Sequence, residues 1–169
     1  LDAECRRGVE RCDAVVIPHN SNLSGGLMFQ SVKDDGTPFD AAYAAARAAA
    51  EPLAEIMQHK GDSECLLGGA NSGDELCGFE KLPYDNFGGK FSSWMRHAPP
   101  DNNFLRNVLK TGLLEEEKLG VNPFKFGFVG GTDVHNSLSS IEEDNFFGKH
   151  VNQEPSKVRW EHVSKQGFG

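Results

Sequence analysis

The alternation of apolar and polar residues is clearest in the stretch 123–136. Its apolar side chains alternate with smaller or polar ones and are Phe124, Phe126, Phe128 and Val129. A period of two residues is typical of a strand with at least one buried face. The Gly130-Gly131 pair is expected to end this strand.

Two shorter segments also have the pattern of strands. Residues 14–17 are all apolar and rich in β-branched side chains, which predicts a buried strand. Residues 53–57 alternate apolar and polar side chains, which predicts another. A long polar loop, residues 20–38, separates the first strand from the next element, and loops of that length are often functional. Its apolar residues 27–29 are expected to plug into the core.

Three segments have the pattern of helices. Residues 1–12 place their apolar side chains on one face, and residues 41–50 are almost all alanine after a capping residue, Asp40. Residues 103–119 repeat apolar side chains at helical spacing. Strands that alternate with helices predict an α/β fold with parallel strands, in one domain that spans residues 1–169.

The ends of the third helix carry recognisable signals. Asp101 or Asn102 is in position to cap its first turn, and Gly120 is in position to close it. The acidic run 115–117 is expected to form a solvated face of this helix.

Composition narrows the classes of function. The formal net charge is −8, from 25 acidic and 17 basic residues, which does not favour binding to a nucleic-acid backbone. No stretch approaches the roughly 18 apolar residues of a membrane span. The chain begins inside a predicted helix, so we expect a fragment of a longer protein, in which an export signal can precede Leu1. The sequence fixes neither the compartment nor the oligomeric state.

The four cysteines contain no Cys-x-x-Cys pair, which argues against a structural zinc site. Cys5 and Cys12 lie seven residues apart on a predicted helix, about 10 Å between Cα atoms, which is too far for a disulfide. Cys65 and Cys77 flank a glycine-rich loop and are able to pair. Four free thiols are the expected state.

Polar side chains follow two of the predicted strands where each strand ends. His19 follows the first strand, and Asp133 and His135 follow the third. Parallel strands bring their carboxyl ends to one edge of a sheet, and in an extended backbone Asp133 and His135 point to the same side. Imidazole nitrogens and carboxylate oxygens are ligands of transition metals. A metal site at this edge is the prediction. The alternative is that Asp133 caps a turn and both histidines are ordinary loop residues.

A second polar cluster follows the strand at residues 53–57. Four functional side chains fall within six positions and are His59, Lys60, Asp62 and Glu64. The simplest interpretation is a solvated loop. The functional interpretation is that His59 and Lys60 are catalytic groups and that Glu64 contacts substrate.

Four blocks together resemble an uncharacterised family, domain of unknown function 3604, which is related to the polymerase and histidinol phosphatase (PHP) superfamily of metal-dependent phosphoesterases. The blocks are residues 15–24 (VVIPHNSNLS), 55–64 (EIMQHKGDSE), 73–80 (GDELCGFE) and 122–136 (NPFKFGFVGGTDVHN). The resemblance covers nearly the whole chain.

The resemblance implies the later part of a distorted PHP-like β/α barrel with two or more metal ions at the strand ends. It implies that His19, Asp133 and His135 are metal ligands, and Glu55 matches a glutamate that is a ligand in some members. The superfamily's opening His-x-His and its middle glutamate ligand would lie before Leu1. The fragment would then hold part of the cluster.

The expected activity is metal-dependent hydrolysis of a small phosphate or phosphonate ester by a metal-bound hydroxide, with zinc, manganese or iron. Lys60 would neutralise charge on the phosphoryl oxygens, and His59 would be a ligand, a proton donor or a substrate contact. Asn20 and Asn136 follow proposed ligands and would orient them or contact substrate. The alternatives are a non-catalytic domain with a structural ion or none, and amidohydrolase-like cleavage of a C–N or C–O bond.

Overall fold

The fold is described from a computed structural model, which describes residues 14–58, 60–68, 73–79 and 101–135. The described helices and strands are, in chain order, α1 (Ala41–Ala50), β1 (Leu53–Gln58), β2 (Gly61–Asp62), α2 (Leu105–Leu119) and β3 (Gly127–Gly130). This mixture of helices with a small sheet confirms the α/β class. A barrel is not seen among the described residues, and the predicted helix 1–12 lies outside them. Neither described helix is long and apolar enough to cross a membrane.

Strand β1 is the centre of the sheet, whose order is β2-β1-β3. It pairs with β3 in parallel, and the register shifts between Glu55 and Met57. It pairs with β2 in the antiparallel direction, with Gln58 opposite Gly61. The predicted strand at 53–57 is therefore confirmed.

Strand β3 lies along one edge of β1, and residues 14–18 lie along the other. This segment runs in the same direction as β1. The contacts are Val16 N–H to Ala50 O at 2.8 Å and Glu55 N–H to Pro18 O at 2.8 Å. The prediction of a buried strand here is wrong, because no strand forms and Val15 and Ile17 are 64% and 44% exposed. Proline has no N–H with which to extend a ladder.

Strand β3 is shorter than the predicted strand and begins four residues into it. Asn122 Oδ1 accepts the backbone N–H of Phe124 at 2.9 Å, which makes a turn where a strand was expected. Phe124 and Phe126 are buried before the strand begins, and Phe128 within it is exposed. Gly130 is the last residue of β3, so the strand ends at the glycine pair as predicted.

The cap of α1 is as predicted, since Asp40 Oδ1 accepts the N–H of Tyr43 at 2.8 Å. Helix α2 ends at Gly120, also as predicted, with φ of 74°. Its start is not as predicted. Phe104 occupies the capping position without a side-chain hydrogen bond, and Asp101–Asn103 forms a separate 3-10 turn.

The solvated face predicted at 115–117 is wrong for Glu115, which is buried and accepts a hydrogen bond from Lys118 at 2.9 Å. Gly112, on the same helix, lies against the side chain of Asn122. A Cβ atom at Gly112 would lie 2.4 Å from Asn122 Oδ1, the atom that accepts from Phe124. Glycine is therefore required for this close approach.

Phenylalanine dominates the core, as the composition indicates. The buried cluster consists of Phe29, Phe39, Ala54, Leu105, Val108, Phe124 and Phe126. Phe29 packs edge-on against Phe124 with ring centres 5.8 Å apart. Of the apolar plug predicted at 27–29, Phe29 is buried and Met28 packs against the core, whereas Leu27 is 68% exposed.

Arg47 joins α1 to this aromatic cluster. Its guanidinium carbon lies 5.8, 5.8 and 5.0 Å from the ring centres of Phe29, Phe39 and Phe124. The same group donates to Glu51 Oε2 at 3.0 Å and to Met28 O at 2.6 Å. One cation thus ties the helix, the long loop and the core together.

Replacing Arg47 by methionine keeps an apolar stem but removes the ring and hydrogen-bond contacts. We expect the free energy of unfolding to fall by about 2 to 3 kcal/mol. Chemical denaturation measures this change. Lys33→Met is the matched control, because Lys33 contacts Asp40 and the Tyr43 ring at the surface, and its loss should matter far less. Equal destabilisation by the two variants would contradict the role of Arg47.

Candidate functional site at the carboxyl edge of the sheet

His19 and Glu55 belong to one hydrogen-bonded network. The two side-chain amides between them are those of Asn20 and Gln58. Asn20 Nδ2 lies 3.0 Å from His19 Nδ1, and Gln58 Nε2 donates to Asn20 Oδ1 at 2.9 Å and to Glu55 Oε1 at 3.0 Å. The backbone N–H of Asn20 also points to Glu55 Oε1, at 3.3 Å. Three predicted site residues therefore meet here.

Asn20 connects this network to the 3-10 turn Ser21–Leu23. Its φ of 57° is left-handed, a conformation that asparagine adopts more readily than most residues. This conformation begins the 3-10 turn directly after His19. The ring of His19 remains exposed at the edge of the sheet.

Asp133 and His135 form a second pair beyond the end of β3. Asp133 Oδ1 lies 3.2 Å from His135 Nε2, and the histidine side chain is 54% exposed. The two side chains meet as predicted, but the argument from an extended backbone is wrong, because Asp133 has φ of 56°. The backbone turns at Asp133, and the pair forms across that turn.

The two halves of the predicted metal site follow backbone segments on either side of β1. Within the described part of the chain, one group of three potential ligand atoms lies within 4.8 Å of one another, and it is Asp62, Glu64 and Cys65. His19, Glu55, Asp133 and His135 do not form such a group. Their assignment as ligands of one cluster stays a prediction.

The group at residues 62–65 is held by other contacts. Asp62 Oδ1 accepts the N–H groups of Glu64 and Cys65, and Glu64 Oε1 accepts from Arg106 at 2.5 and 3.1 Å. Cys65 is disulfide-bonded to Cys77. A disulfide sulfur is not the thiolate that binds metal ions, so the group offers only carboxylate oxygens in this state.

The Cys65–Cys77 disulfide corrects the expectation of four free thiols. The Cα atoms lie 5.3 Å apart, within the range that a disulfide requires. The 3-10 turn Glu75–Gly78 presents Cys77 to Cys65, and Arg106 holds the turn by donating to Asp74 at 3.0 Å. Cys5 and Cys12 lie outside the described residues.

Lys60 lies in the interior instead of in a solvated loop. It is 1% exposed, and its Nζ donates to Asn22 Oδ1 at 2.6 Å and to Ser63 Oγ at 2.8 Å. A substrate phosphate would reach this ammonium only if the surrounding segments moved. His59 and Asn136, the other predicted loop contacts, lie outside the described residues.

Several buried polar residues of this region were not singled out by the sequence reasoning. Asn103 accepts from Ser24 Oγ at 2.8 Å and from Gly26 N–H at 2.6 Å, and its own amide donates to Asn22 O at 3.1 Å. Gln58 is 4% exposed. The available signal was the run of Asn and Ser after His19, because short polar side chains often hydrogen-bond to nearby backbone in irregular segments.

The Arg106 guanidinium lowers the pKa of Asp74, chiefly through its side-chain hydrogen bond, with a further contribution from the backbone N–H of Leu76. We expect Arg106→Gln to raise the pKa of Asp74 towards the ordinary value of about 3.9. A lowered carboxyl pKa stabilises the fold above the ordinary value, and that stabilisation is lost as the pH falls through the lowered pKa. Carbon-13 NMR titration of the carboxyl groups measures the change.

Asp35 is the internal control for this titration. Its pKa is also lowered, but by hydrogen bonds from the Thr37 hydroxyl and N–H. It should titrate identically in Arg106→Gln and in the parent protein. A pKa of Asp74 that does not rise in the variant would contradict the ion pair.

Comparison with known proteins identifies the family but adds no relative of known activity. The model of the family described as "Protein of unknown function (DUF3604)" matches residues 1–167. No curated protein and no solved structure matches the chain. The match spans all four sequence blocks, and the chain belongs to the DUF3604 family of proteins of unknown function.

Proposed function

We propose that the full-length protein is a metal-dependent hydrolase related to the PHP superfamily, and that it acts on a phosphate or phosphonate ester. The observation that supports this most is the pair Asp133 and His135, whose ligand-type atoms lie 3.2 Å apart. A tetrahedral ion with ligands at about 2.0–2.1 Å places neighbouring ligand atoms about 3.3 Å apart. The spacing therefore suits two ligands of one ion, and it also suits the hydrogen bond that such an ion would replace.

The proposed ligands are His19, Asp133 and His135, with Glu55 as the fourth candidate. Nitrogen and carboxylate donors fit zinc, manganese or iron. The segment before His19 and strand β3 run in the same direction beside β1, on opposite sides of it, so both segments end towards the same edge of the sheet. Two or more ions are proposed for the full-length protein.

A bound divalent ion would supply Lewis acidity, which lowers the pKa of coordinated water and offsets negative charge on a phosphoryl group. That offset is needed, because the chain carries a formal net charge of −8 and would otherwise repel an anionic ester. His59 is the proposed proton donor to the leaving group. Asn136 is the proposed substrate contact.

We propose narrower roles for two other predicted residues, on the basis of their contacts. The side-chain amide of Asn20 is bonded to His19 and Gln58, so we assign it to orienting His19. Glu64 is held by both Nε and Nη2 of Arg106, so it would contact substrate only through its remaining exposed surface.

Elemental analysis of the full-length protein tests the proposal, beside His19→Ala and Asp133→Ala. We expect more than one equivalent of transition metal in the parent protein and the loss of about one equivalent in each variant, because each removes a ligand. Asp35→Ala is the matched control, since Asp35 is exposed and bonded only locally to Thr37. A screen of phosphate and phosphonate esters follows on the metal-loaded protein.

The outcomes separate the classes of function. Metal-free parent protein that folds as well as the metal-treated protein would contradict the hydrolase and leave a non-catalytic domain. Metal content without turnover of any ester, but with turnover of an amide or lactone, would favour amidohydrolase-like chemistry.

A further inference from the structure

Glu55 is connected to His19 through two side-chain amides whose orientations depend on each other. The order of contacts is Glu55 Oε1, Gln58 Nε2, Asn20 Oδ1, Asn20 Nδ2 and His19 Nδ1. An amide has a donor end and an acceptor end, so turning one amide over forces its neighbour to turn as well. The group at one end of the series therefore determines which end of each amide donates and which accepts.

That end is the carboxylate of Glu55. An ionised carboxylate only accepts hydrogen bonds, so the group 3.0 Å away on Gln58 must be the Nε2 donor. The second proton on the same nitrogen is donated to Asn20 Oδ1 at 2.9 Å. In the reversed arrangement, Gln58 Oε1 would face the carboxylate, and two acceptors would be in contact in a site where Gln58 is buried.

The fixed direction decides which ring nitrogen of His19 bears the proton. With its Oδ1 bound to Gln58, Asn20 presents Nδ2 to the ring, and Nδ1 of His19 must accept at 3.0 Å. In the neutral ring, a nitrogen that accepts cannot carry the hydrogen, so the N–H is on Nε2. From this geometry we infer that Glu55, through Gln58 and Asn20, is a positioning residue that fixes the tautomer of His19.

This relay, composed of Glu55, Gln58 and Asn20, deepens the proposed function and rests on it in one respect. A histidine that binds a metal through Nε2 normally donates its other N–H to an acceptor. The relay presents a donor to Nδ1, so coordination through Nε2 requires both amides to turn over. That change would release the carboxylate of Glu55 from Gln58 and make it available as the fourth ligand. Metal binding at His19 and the release of Glu55 are thus one event.

Exchanging the side chains of Glu55 and Gln58 reverses the relay without changing its size or charge. In the double variant Glu55→Gln, Gln58→Glu, the new carboxylate at position 58 accepts from Asn20 Nδ2, so Asn20 Oδ1 faces the ring. We expect the neutral ring of His19 to change from the Nε2–H to the Nδ1–H form. Two-bond proton–nitrogen correlation spectra of metal-free protein distinguish the two forms at a pH of about 8.5, where an ordinary imidazole is neutral.

Signals of His19 among the six histidines are identified by their absence from the spectrum of His19→Ala. Asn20→Gly, which tolerates the left-handed φ of 57°, is introduced into both backgrounds as the control. This substitution removes the side chain that connects Gln58 to His19, so His19 should have the same tautomer in both backgrounds. Asn20→Asp is a further variant if the exchange prevents folding, because its carboxylate must accept from Nδ1–H.

The Nε2–H form in the parent protein and the Nδ1–H form in the exchanged protein would support the relay. The same tautomer in both proteins, or the Nδ1–H form in the parent, would overturn it. Because the spectra are recorded without metal, this result is independent of whether the protein binds an ion. A zinc titration of the parent protein beside His19→Ala then tests the proposed function separately, with weaker binding expected in His19→Ala because that variant lacks a proposed ligand.

Discussion

The backbone pairing of β1 positions Glu55 and the two segments that lead to His19 and to Asp133. On one edge β1 pairs with β3, and on the other it meets residues 14–18 and then the β2 hairpin. The segments at 14–18 and β3 have the same direction as β1, so the residues that follow them emerge at one edge. Along its second edge, β1 first meets residues 14–18 and then β2. The register shift of β1 against β3, between Glu55 and Met57, lies where this change of neighbour occurs. A slip of one residue in this pairing would send Glu55 to the opposite face of the sheet.

The long loop after His19 is held in place by buried polar contacts from two other segments, residues 60–63 and Asn103. Asn22 Oδ1 accepts from Lys60 and Ser63, while Asn103 bonds to the backbone and side chains of residues 22–26. A buried ammonium is costly unless it is hydrogen-bonded, so these contacts depend on one another. The loop has little regular secondary structure, but these contacts fix its conformation. Such support is what a preorganised site requires from the residues around it.

The parts of the fold that were predictable are those specified by neighbours in sequence. The cap at Asp40 and the glycine that ends α2 are local signals, and the structure has both; the strand predicted at 53–57 also forms. The capping of α2 was not predictable in this way. The side chain of Asn102 donates to the carbonyls of Gly26 and Phe29 and does not accept an N–H of its own helix, so its contacts join distant segments.

The same distinction applies to the candidate site. The residue types at the edge of the sheet were visible in the sequence, because they follow apolar runs. The burial of Lys60, the disulfide of Cys65 and the participation of Gln58 all depend on which segments meet in space. Gln58 could not be distinguished from any polar residue at the end of a strand. Its importance follows from the two groups it touches.

Gly112 shows how closely the stability of this protein is coupled to its candidate site. Replacing a mid-helix glycine by alanine usually raises the free energy of unfolding by about 1 kcal/mol. Here the added methyl group would displace Asn122, whose oxygen holds the N–H of Phe124 at the start of the segment that becomes β3. The strand that ends just before Asp133 would lose its fixed starting point. A substitution that raises helix propensity at this position would therefore disturb the contact between Asn122 and Phe124 that precedes β3.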